Sequence, residues 1–210
     1  MASSTHSTAL QKRELRRALR AARRAVAGRA ATGAARAVTA RVRRLRAWRR
    51  ARIVGVFVSG DGEIDTSRLM QAAWQAGKTV CLPVIQPPPG QRGRRAALRE
   101  GRLVFRVAGP ATPRRPGLLQ VPEPVRSSSR AIPLNRIDLL LMPLVGFDSA
   151  GHRLGMGGGF YDRTLAGRGR FRRPCRVGIA HACQEVPALP HDPWDQPVET
   201  CVTDRKTHAW

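Results

Sequence analysis

The first part of the chain alternates apolar and polar residues at helical spacing. Four apolar residues recur every three or four positions and therefore share one helix face: Leu15, Leu19, Ala22 and Val26. Most of the arginines between them fall outside this stripe. The pattern predicts an amphipathic helix that begins near Thr8 and ends at Gly28, followed by a second helix that ends near Trp48.

Short runs rich in β-branched and apolar residues follow. The runs that predict strands are residues 53–58, 79–84, 103–107, 137–142, 176–180 and 200–203. A helix capped by Thr66 and another from about Phe160 lie between them. Strands that alternate with helices predict an α/β fold, with a mostly parallel sheet covered by helices on both faces.

The pattern contains no clean boundary, so residues 1–210 are expected to form a single domain. Residues 1–9 are small and polar and are expected to fray. Residues 86–101 and 108–133 are rich in proline, glycine and arginine, which predicts two surface loop insertions. In such a sheet, ligands gather at the carboxyl ends of the strands, so the polar segments after the first and fourth strands are the places to look.

The charge of the chain is strongly positive. It has 38 basic and 14 acidic residues, a formal net charge of +24, and the only lysines are Lys12, Lys78 and Lys206. Abundant arginine together with abundant alanine indicates a compositional bias, and few aromatic residues are present for stacking on bases. We therefore expect no specific nucleic-acid partner, with a basic nucleic-acid-binding protein as the alternative.

Several classes of protein are disfavoured by the remaining composition. No run approaches the roughly 20 apolar residues of a membrane span, so no membrane partner is expected. The four cysteines form no CxxC pair and no zinc spacing. Nothing in the sequence indicates secretion, so we expect reduced cysteines and a cytoplasmic protein; the arginine-rich start leaves a mitochondrial transit peptide as a lesser alternative.

The most informative segment is RLGMGGGFYDR at residues 153–163. Its glycines permit positive φ angles and close approach to a ligand, and successive amides in such a turn form an anion-binding nest. Arg153 adds a positive charge, and Asp162 offers the oxygen ligands that suit Mg²⁺. The segment lacks the GK[ST] of a Walker A loop. We interpret it as a phosphate-binding loop rather than as a turn that only permits tight packing.

This segment resembles the signature of 5-formyltetrahydrofolate cyclo-ligases, commonly RLGxGxGYYDR. Other parts of the chain resemble that family in the same order and spacing: residues 12–16, 59–66, 77–83, 122–124, 178–180, 194–197 and 202–204. The resemblance implies a fold like that of sugar-phosphate isomerases and CoA transferases. It also implies conversion of 5-formyltetrahydrofolate and MgATP into 5,10-methenyltetrahydrofolate, ADP and phosphate. The partners would be these small molecules, and the protein would be a monomer or a homodimer.

The resemblance also assigns roles to individual residues. The residues expected to bind ATP are Lys12, Arg13, Glu14, Leu15, Arg16, Arg153, Leu154, Gly155, Met156, Gly157, Gly158, Gly159, Phe160 and Tyr161. Those expected to bind the folate are Arg16, Val58, Glu63, Met156, Gly157, Gly158, Gly159 and Phe160. Mg²⁺ would be held by Asp162 and Asp195, with Asp192 as the alternative to Asp195.

The chain departs from the family pattern in the loop itself. Phe160 stands where the family usually has tyrosine, Met156 replaces a commoner tyrosine or arginine, and Gly158 stands where some members carry lysine. Each change leaves the backbone nest intact, so we expect Arg153 and Mg²⁺ to balance the phosphate charge. A nucleotide- or folate-binding relative without turnover remains a further alternative.

Overall fold

Six α-helices occur in the described part of the chain, which comprises residues 2–167 and 173–210 of a computed structural model, with side chains from residue 8 onward. They are α1 (Ala2–Ala25), α2 (Gly28–Arg44), α3 (Arg46–Arg50), α4 (Ser67–Gln75), α5 (Arg94–Glu100) and α6 (Phe160–Leu165). Short 3₁₀ turns occupy Arg126–Ser128, Leu134–Arg136 and Ala182–Gln184. None of the helices in these residues is long and apolar enough to cross a membrane.

Twelve strands belong to the same described residues. They are β1 (Ile53–Gly55), β2 (Thr79–Gln86), β3 (Arg102–Val107), β4 (Arg114–Pro116), β5 (Pro122–Pro124), β6 (Ala131–Ile132), β7 (Leu139–Pro143), β8 (Gly146–Phe147), β9 (Arg153–Leu154), β10 (Cys175–Ile179), β11 (Thr200–Val202) and β12 (Thr207–Ala209). Eight of them form one sheet in the order β12-β11-β10-β7-β1-β2-β3-β6. The central strands from β11 to β2 are parallel, and the strands outside them are antiparallel.

Both faces of this sheet are buried. Leu139 and Leu141 of β7 pack into a core shared with α2, α3 and α4, whereas Leu140 and Met142 point into a second core that includes Leu165 of α6. This alternation is the two-residue period of a strand with helices on each side. The predicted α/β class with a mostly parallel sheet is therefore confirmed. The specific likeness to sugar-phosphate isomerases stays a prediction.

The first strand is shorter than the sequence suggested. The predicted run at residues 53–58 is a strand only as far as Gly55, although the Val56 amide still donates to the Cys81 carbonyl of β2 at 2.8 Å. Thr66 does precede α4, but its hydroxyl donates to the Phe57 carbonyl at 2.7 Å and does not cap the helix. That bond ties the start of α4 to the end of the strand. The predicted cap position was right and its hydrogen bond was wrong.

The predicted loops contain regular structure. α1 begins at Ala2, and the expected fraying of residues 1–9 stays a prediction. The segment 86–101 carries α5, and the segment 108–133 carries the β4–β5 hairpin and the edge strand β6. Tertiary packing overrides the loop-like composition there. Ala97 of α5 is buried, and Ile132 of β6 joins the second core.

Candidate active site

A cavity of about 640 Å³ lies at the carboxyl ends of the central strands. Phe57 and Val58 follow β1, Pro83 belongs to β2, and Pro143 ends β7. The remaining walls come from α1, the β4–β5 hairpin, residues 153–163 and residues 192–195. The cavity thus occupies the place where ligands bind in open parallel sheets. It brings the two polar segments predicted from the sequence into one site.

The glycine-rich loop forms one wall of the cavity. β8 and β9 form a small antiparallel hairpin that fixes the loop's start, and α6 fixes its end. Gly157 has a φ of 98° and Gly159 a φ of 64°, values that side chains on other residues rarely allow. Arg16 of α1 reaches across and donates from Nε to the Gly155 carbonyl at 2.8 Å. The loop is therefore held in shape by the N-terminal helix.

Arg153 and Asp162 form an ion pair at the base of this loop. Arg153 Nη2 lies 2.5 Å from Asp162 Oδ1, and the Arg153 side chain is only 3% exposed. The backbone amide of Gln196 donates to the same oxygen at 3.0 Å. Burial lowers the pKa of the Arg153 guanidinium, and the charge of Asp162 opposes that shift. Arg153 was expected to contact phosphate directly, but in this structure its charge is already balanced by Asp162.

Lys12 of α1 forms a second ion-pair cluster in the lining of the cavity. Its ammonium lies 2.6 Å from Asp192 Oδ2 and 2.5 Å from Asp195 Oδ2. Burial alone would lower the pKa of Lys12, but the two carboxylates outweigh it and raise that pKa. Lys12 is therefore a permanent cation at the cavity wall. Because it contacts both aspartates, the choice between Asp192 and Asp195 as a metal ligand stays open.

The carboxylates of the cavity suit a small divalent cation. Asp162 accepts its two hydrogen bonds on Oδ1, and Asp195 accepts its bonds from Lys12 and from the Asp192 amide on Oδ2. In each case one oxygen serves the protein and the other is left for a further ligand. In the described ranges, no three or more His, Cys, Asp or Glu side chains form a group that could hold a metal ion by itself. A Mg²⁺ ion here would complete its shell with phosphate and water oxygens.

Glu63, which follows β1 in the sequence, also lines the cavity. Its side chain is 15% exposed, and its Oε2 accepts a hydrogen bond of 3.0 Å from the Gly60 amide. Burial raises the pKa of Glu63, while the Gly60 amide and the charge of Arg23 act in the opposite direction. Val58 lines the same region and also packs against the main core. A buried carboxylate beside apolar side chains fits the polar edge of an aromatic heterocycle.

Three predicted residues of α1 do not reach the cavity. Arg13 and Glu14 are exposed, and Leu15 packs beside Leu154 in a small apolar cluster. A helix turns by about 100° per residue, so of five consecutive residues only Lys12 and Arg16, four apart, share the face that points inward. The remaining predicted residues of the loop, from Arg153 to Asp162, all line the cavity.

Other residues of the cavity were missed in the sequence. Leu119, Val121 and Glu123 enter from the β4–β5 hairpin, inside the segment that was interpreted as a surface insertion. Trp194, 62% exposed, stands at the rim beside Asp195. Leu119 and Val121 are large apolar residues within a proline-rich segment, and this combination in the sequence could have indicated that the segment lines a binding site. Phe160 packs under the guanidinium of Arg163, whose Cζ lies 5.1 Å from the ring centroid. A tyrosine at this position would add a hydroxyl that Phe160 lacks.

Comparison with known proteins identifies the chain's relatives. The model of the 5-formyltetrahydrofolate cyclo-ligase family matches residues 8–204. The 5-formyltetrahydrofolate cyclo-ligase of Escherichia coli K12 is 42% identical over 160 residues, covering 76% of this chain and 82% of that protein. That of Haemophilus influenzae is 39% identical over 150 residues, covering 71% and 74%. The NMR structure of Aquifex aeolicus 5,10-methenyltetrahydrofolate synthetase superimposes with a TM-score of 0.74 at 25% identity, covering 94% of this chain and 92% of that one.

Proposed function

The chain belongs to the 5-formyltetrahydrofolate cyclo-ligase family and is an enzyme that forms 5,10-methenyltetrahydrofolate from 5-formyltetrahydrofolate, and we propose that the cavity at its strand ends is where ATP drives this cyclisation. The single observation that carries the proposal is the meeting of three features in one cavity. They are the glycine-rich loop, the carboxylates Asp162 and Asp195, and the buried Glu63.

The nucleotide phosphates would lie against the glycine-rich loop. The backbone between Gly155 and Gly159 carries no bulky side chain except Met156, so its amides are accessible to an anion. Lys12 and Arg16 add positive charge from α1, and Arg16 contacts the loop itself at the Gly155 carbonyl. Oxygens of a triphosphate would thus be held by backbone donors and by cations at once, which positions the terminal phosphate for transfer.

The folate would enter with its pterin towards Glu63. An ionised carboxylate accepts two adjacent hydrogen bonds, the pattern that the pterin's amino group and ring nitrogen present. Val58 and Pro83 supply apolar surface for the ring, and Leu119 and Val121 from the hairpin extend that surface outward. In this orientation the formyl group at N5 faces the loop that holds the phosphates.

The chemistry then needs activation of a poor leaving group. The formamide oxygen attacks the terminal phosphorus of ATP and ADP departs. N10 attacks the activated formyl carbon, the phosphorylated oxygen leaves as inorganic phosphate, and the N10 proton leaves with that phosphate, which yields the methenyl bridge. Arg16 and Lys12 stabilise the negative charge on the transferring group, since preorganised cations act strongly where water is excluded. Asp162 and Asp195 would hold Mg²⁺, which neutralises phosphate charge when bound.

The test is the near-ultraviolet absorbance of methenyltetrahydrofolate after 5-formyltetrahydrofolate is added to the purified protein. We expect product with ATP and Mg²⁺, and none when ATP is omitted or EDTA is added. Isothermal titration with a non-hydrolysable ATP analogue separates the alternatives. Nucleotide binding without product would identify a relative that has lost turnover, and neither binding nor product would refute the proposed site.

The surroundings of the enzyme are also part of the proposal. We propose a cytoplasmic location, supported by the four cysteines, Cys81, Cys175, Cys183 and Cys201, none of which is in a disulfide. A monomer or homodimer stays a prediction, to be measured by analytical ultracentrifugation.

A further inference from the structure

One arginine of the N-terminal helix is completely buried. The side chain of Arg23 is 0% exposed, whereas those of its neighbours Arg20 and Arg24 are 36% and 54% exposed. Burial of a guanidinium is costly unless its donors and charge are satisfied. The role of Arg23 therefore has to be sought in what surrounds it.

Arg23 contacts three segments that border the cavity. Its Nε donates to the Asp61 carbonyl at 2.8 Å, and its Nη2 donates to Asp61 Oδ2 at 2.7 Å. Its Nη1 donates to the Leu144 carbonyl, just after β7, at 3.3 Å, and lies 3.6 Å from Glu63 Oε1. Its Nη2 also lies 3.8 Å from Met156 Sδ in the glycine-rich loop. One side chain thus joins α1 to the folate side and the phosphate side of the site.

The two bonds to Asp61 fix an unusual turn. Asp61 has a φ of 53° and Gly62 a φ of 76°, so two consecutive residues adopt the left-handed conformation. Such a backbone is strained at an aspartate and needs support from its surroundings. Glu63 is the next residue, and the direction of its carboxylate depends on this turn.

We propose that Arg23 is a positioning residue for folate recognition: its grip on Asp61 fixes the turn that directs Glu63 into the cavity, and its charge keeps the Glu63 carboxylate ionised there. The inference rests on the proposed function, in which Glu63 binds the pterin. Arg23 itself does not line the cavity and is not expected to touch either substrate.

The charged groups around Glu63 determine in which direction the loss of Arg23 shifts the pKa of Glu63. Arg23 faces it from α1, Asp61 from its own turn, and the Tyr161 hydroxyl from α6. Burial raises the pKa of Glu63, the Gly60 amide and Arg23 lower it, and Asp61 raises it. Loss of Arg23 therefore favours the protonated acid, which no longer accepts two hydrogen bonds from the pterin. Loss of the Asp61 charge has the opposite effect.

The experiment measures the pH dependence of kcat/KM for 5-formyltetrahydrofolate, and of its Kd by isothermal titration. In Arg23→Met we expect the acidic limb to move to higher pH by roughly one unit. We also expect KM for the folate to rise about tenfold, with kcat and KM for ATP changed far less. Arg23→Lys restores the charge but not the two-point grip, so its acidic limb returns towards wild type while KM stays intermediate.

Two further variants keep the test decisive. Arg24→Met removes an exposed arginine that bonds the same Asp61, and it should retain the wild-type folate KM and acidic limb. Asp61→Asn should raise the folate KM and move the acidic limb to lower pH. This variant is compared with wild type instead of Arg23→Met if Arg23→Met does not fold. An acidic limb that stays unmoved in the folded variants, or equal losses for both substrates at every pH, would overturn the inference. The wild type is assayed first, so a failure of the proposed function itself would appear as absence of product before any variant is compared.

Discussion

At the residue scale, the site is built from ion pairs whose members do more than one task. Asp162 is a candidate metal ligand and also the counter-ion of the buried Arg153. Asp195 is a candidate metal ligand and also a partner of Lys12. Because each carboxylate uses one oxygen for its basic partner, catalytic and structural roles can be separated by substitutions that preserve that oxygen.

Asp162 offers the sharpest case. Asp162→Asn keeps an oxygen for Arg153 and Gln196 but removes the charge, so we expect turnover to fall about 100-fold with a smaller loss of stability than in Asp162→Ala. Asp162→Ala leaves the Arg153 charge buried without a partner, and we expect it to destabilise the fold by about 3–5 kcal/mol as well. Steady-state kinetics with a Mg²⁺ titration and thermal unfolding measure the two effects. Wild-type turnover in Asp162→Asn would show that the metal assignment is wrong.

Trp194 reports on the rim of the cavity. It is the most exposed of the large apolar side chains in the described residues, and it adjoins Asp195. If the nucleotide binds beside Asp195, a non-hydrolysable ATP analogue should protect Trp194 from acrylamide quenching. Trp194→Phe serves as the control, because it removes this signal and leaves the other tryptophans. Unchanged quenching at a concentration shown to saturate the protein would place the nucleotide away from this rim.

At the element scale, the glycine-rich loop depends on backbone conformation more than on side chains. Gly157 and Gly167 both have positive φ angles, 98° and 74°, but only Gly157 lines the cavity. An alanine at either position pays a similar backbone penalty, of about 1–2 kcal/mol. Comparison of alanine substitutions at these two glycines therefore separates the effect of backbone strain from the effect on nucleotide binding.

We expect Gly157→Ala to raise KM for ATP at least about tenfold, because the shifted backbone misdirects its amides. Gly167→Ala, whose added methyl group meets open space, should lower stability by a similar amount while KM for ATP stays at the wild-type value. Kinetics and urea unfolding of both variants provide the measurement. Equal effects on KM in the two variants would refute a phosphate-binding role for the loop.

The elements also show what the sequence could predict. The central strands were predictable because residues such as Leu139 and Leu140 are buried on opposite faces and leave an unbroken apolar run. The helix α5 was not, because its short arginine- and alanine-rich sequence stands among prolines and glycines that indicate a loop. The loop from Arg153 to Asp162 was found because its chemistry is local in sequence.

Other parts of the site could not be found in this way. Arg23 stands four residues after Leu19 and so lies on the apolar stripe of α1, but its partners could not be read from the sequence, since its burial depends on contact with the turn at Asp61. The wall from Leu119 to Glu123 lies in a segment whose composition predicts exposure, and only the fold brings it to the cavity. The sequence therefore indicated the class of fold and the glycine-rich loop that lines the cavity, and it could not indicate contacts created by tertiary packing.

At the scale of the whole molecule, buried carboxylates connect stability to pH. Burial opposes ionisation of Asp148, but hydrogen bonds from the His152 ring and from the amides of Leu189, Ala150 and His152 outweigh it and lower the pKa of Asp148. A carboxyl group whose pKa is depressed on folding stabilises the fold above its ordinary pKa of about 4. That contribution is lost as the pH falls through the folded value.

We expect Asp148→Asn to lower the free energy of unfolding by about 1–3 kcal/mol at neutral pH. The difference from wild type should begin to shrink as the pH falls below about 4, where the unfolded carboxyl group becomes protonated, and should disappear below the lowered pKa of the native Asp148 carboxylate. Urea unfolding across this pH range measures both curves. A difference that is constant with pH would show that the loss comes from packing and not from the charge.

The net charge of +24 leads to an expectation about non-specific partners. Surface arginines attract any polyanion, so labelled duplex DNA should bind weakly at low salt and be released between about 50 mM and about 200 mM NaCl, irrespective of sequence. Fluorescence anisotropy with two unrelated duplexes tests this. Tight, sequence-dependent binding that survives physiological salt would favour the nucleic-acid-binding alternative.

The bridge between Lys12 and Asp195 spans 183 positions of the chain. During synthesis, the first of these residues leaves the ribosome long before the second has been translated. A nascent chain therefore cannot complete this wall of the cavity until the segment that carries Asp195 has been synthesised. A chain that terminates before Asp192 would leave Lys12 without either of its carboxylate partners in the cavity.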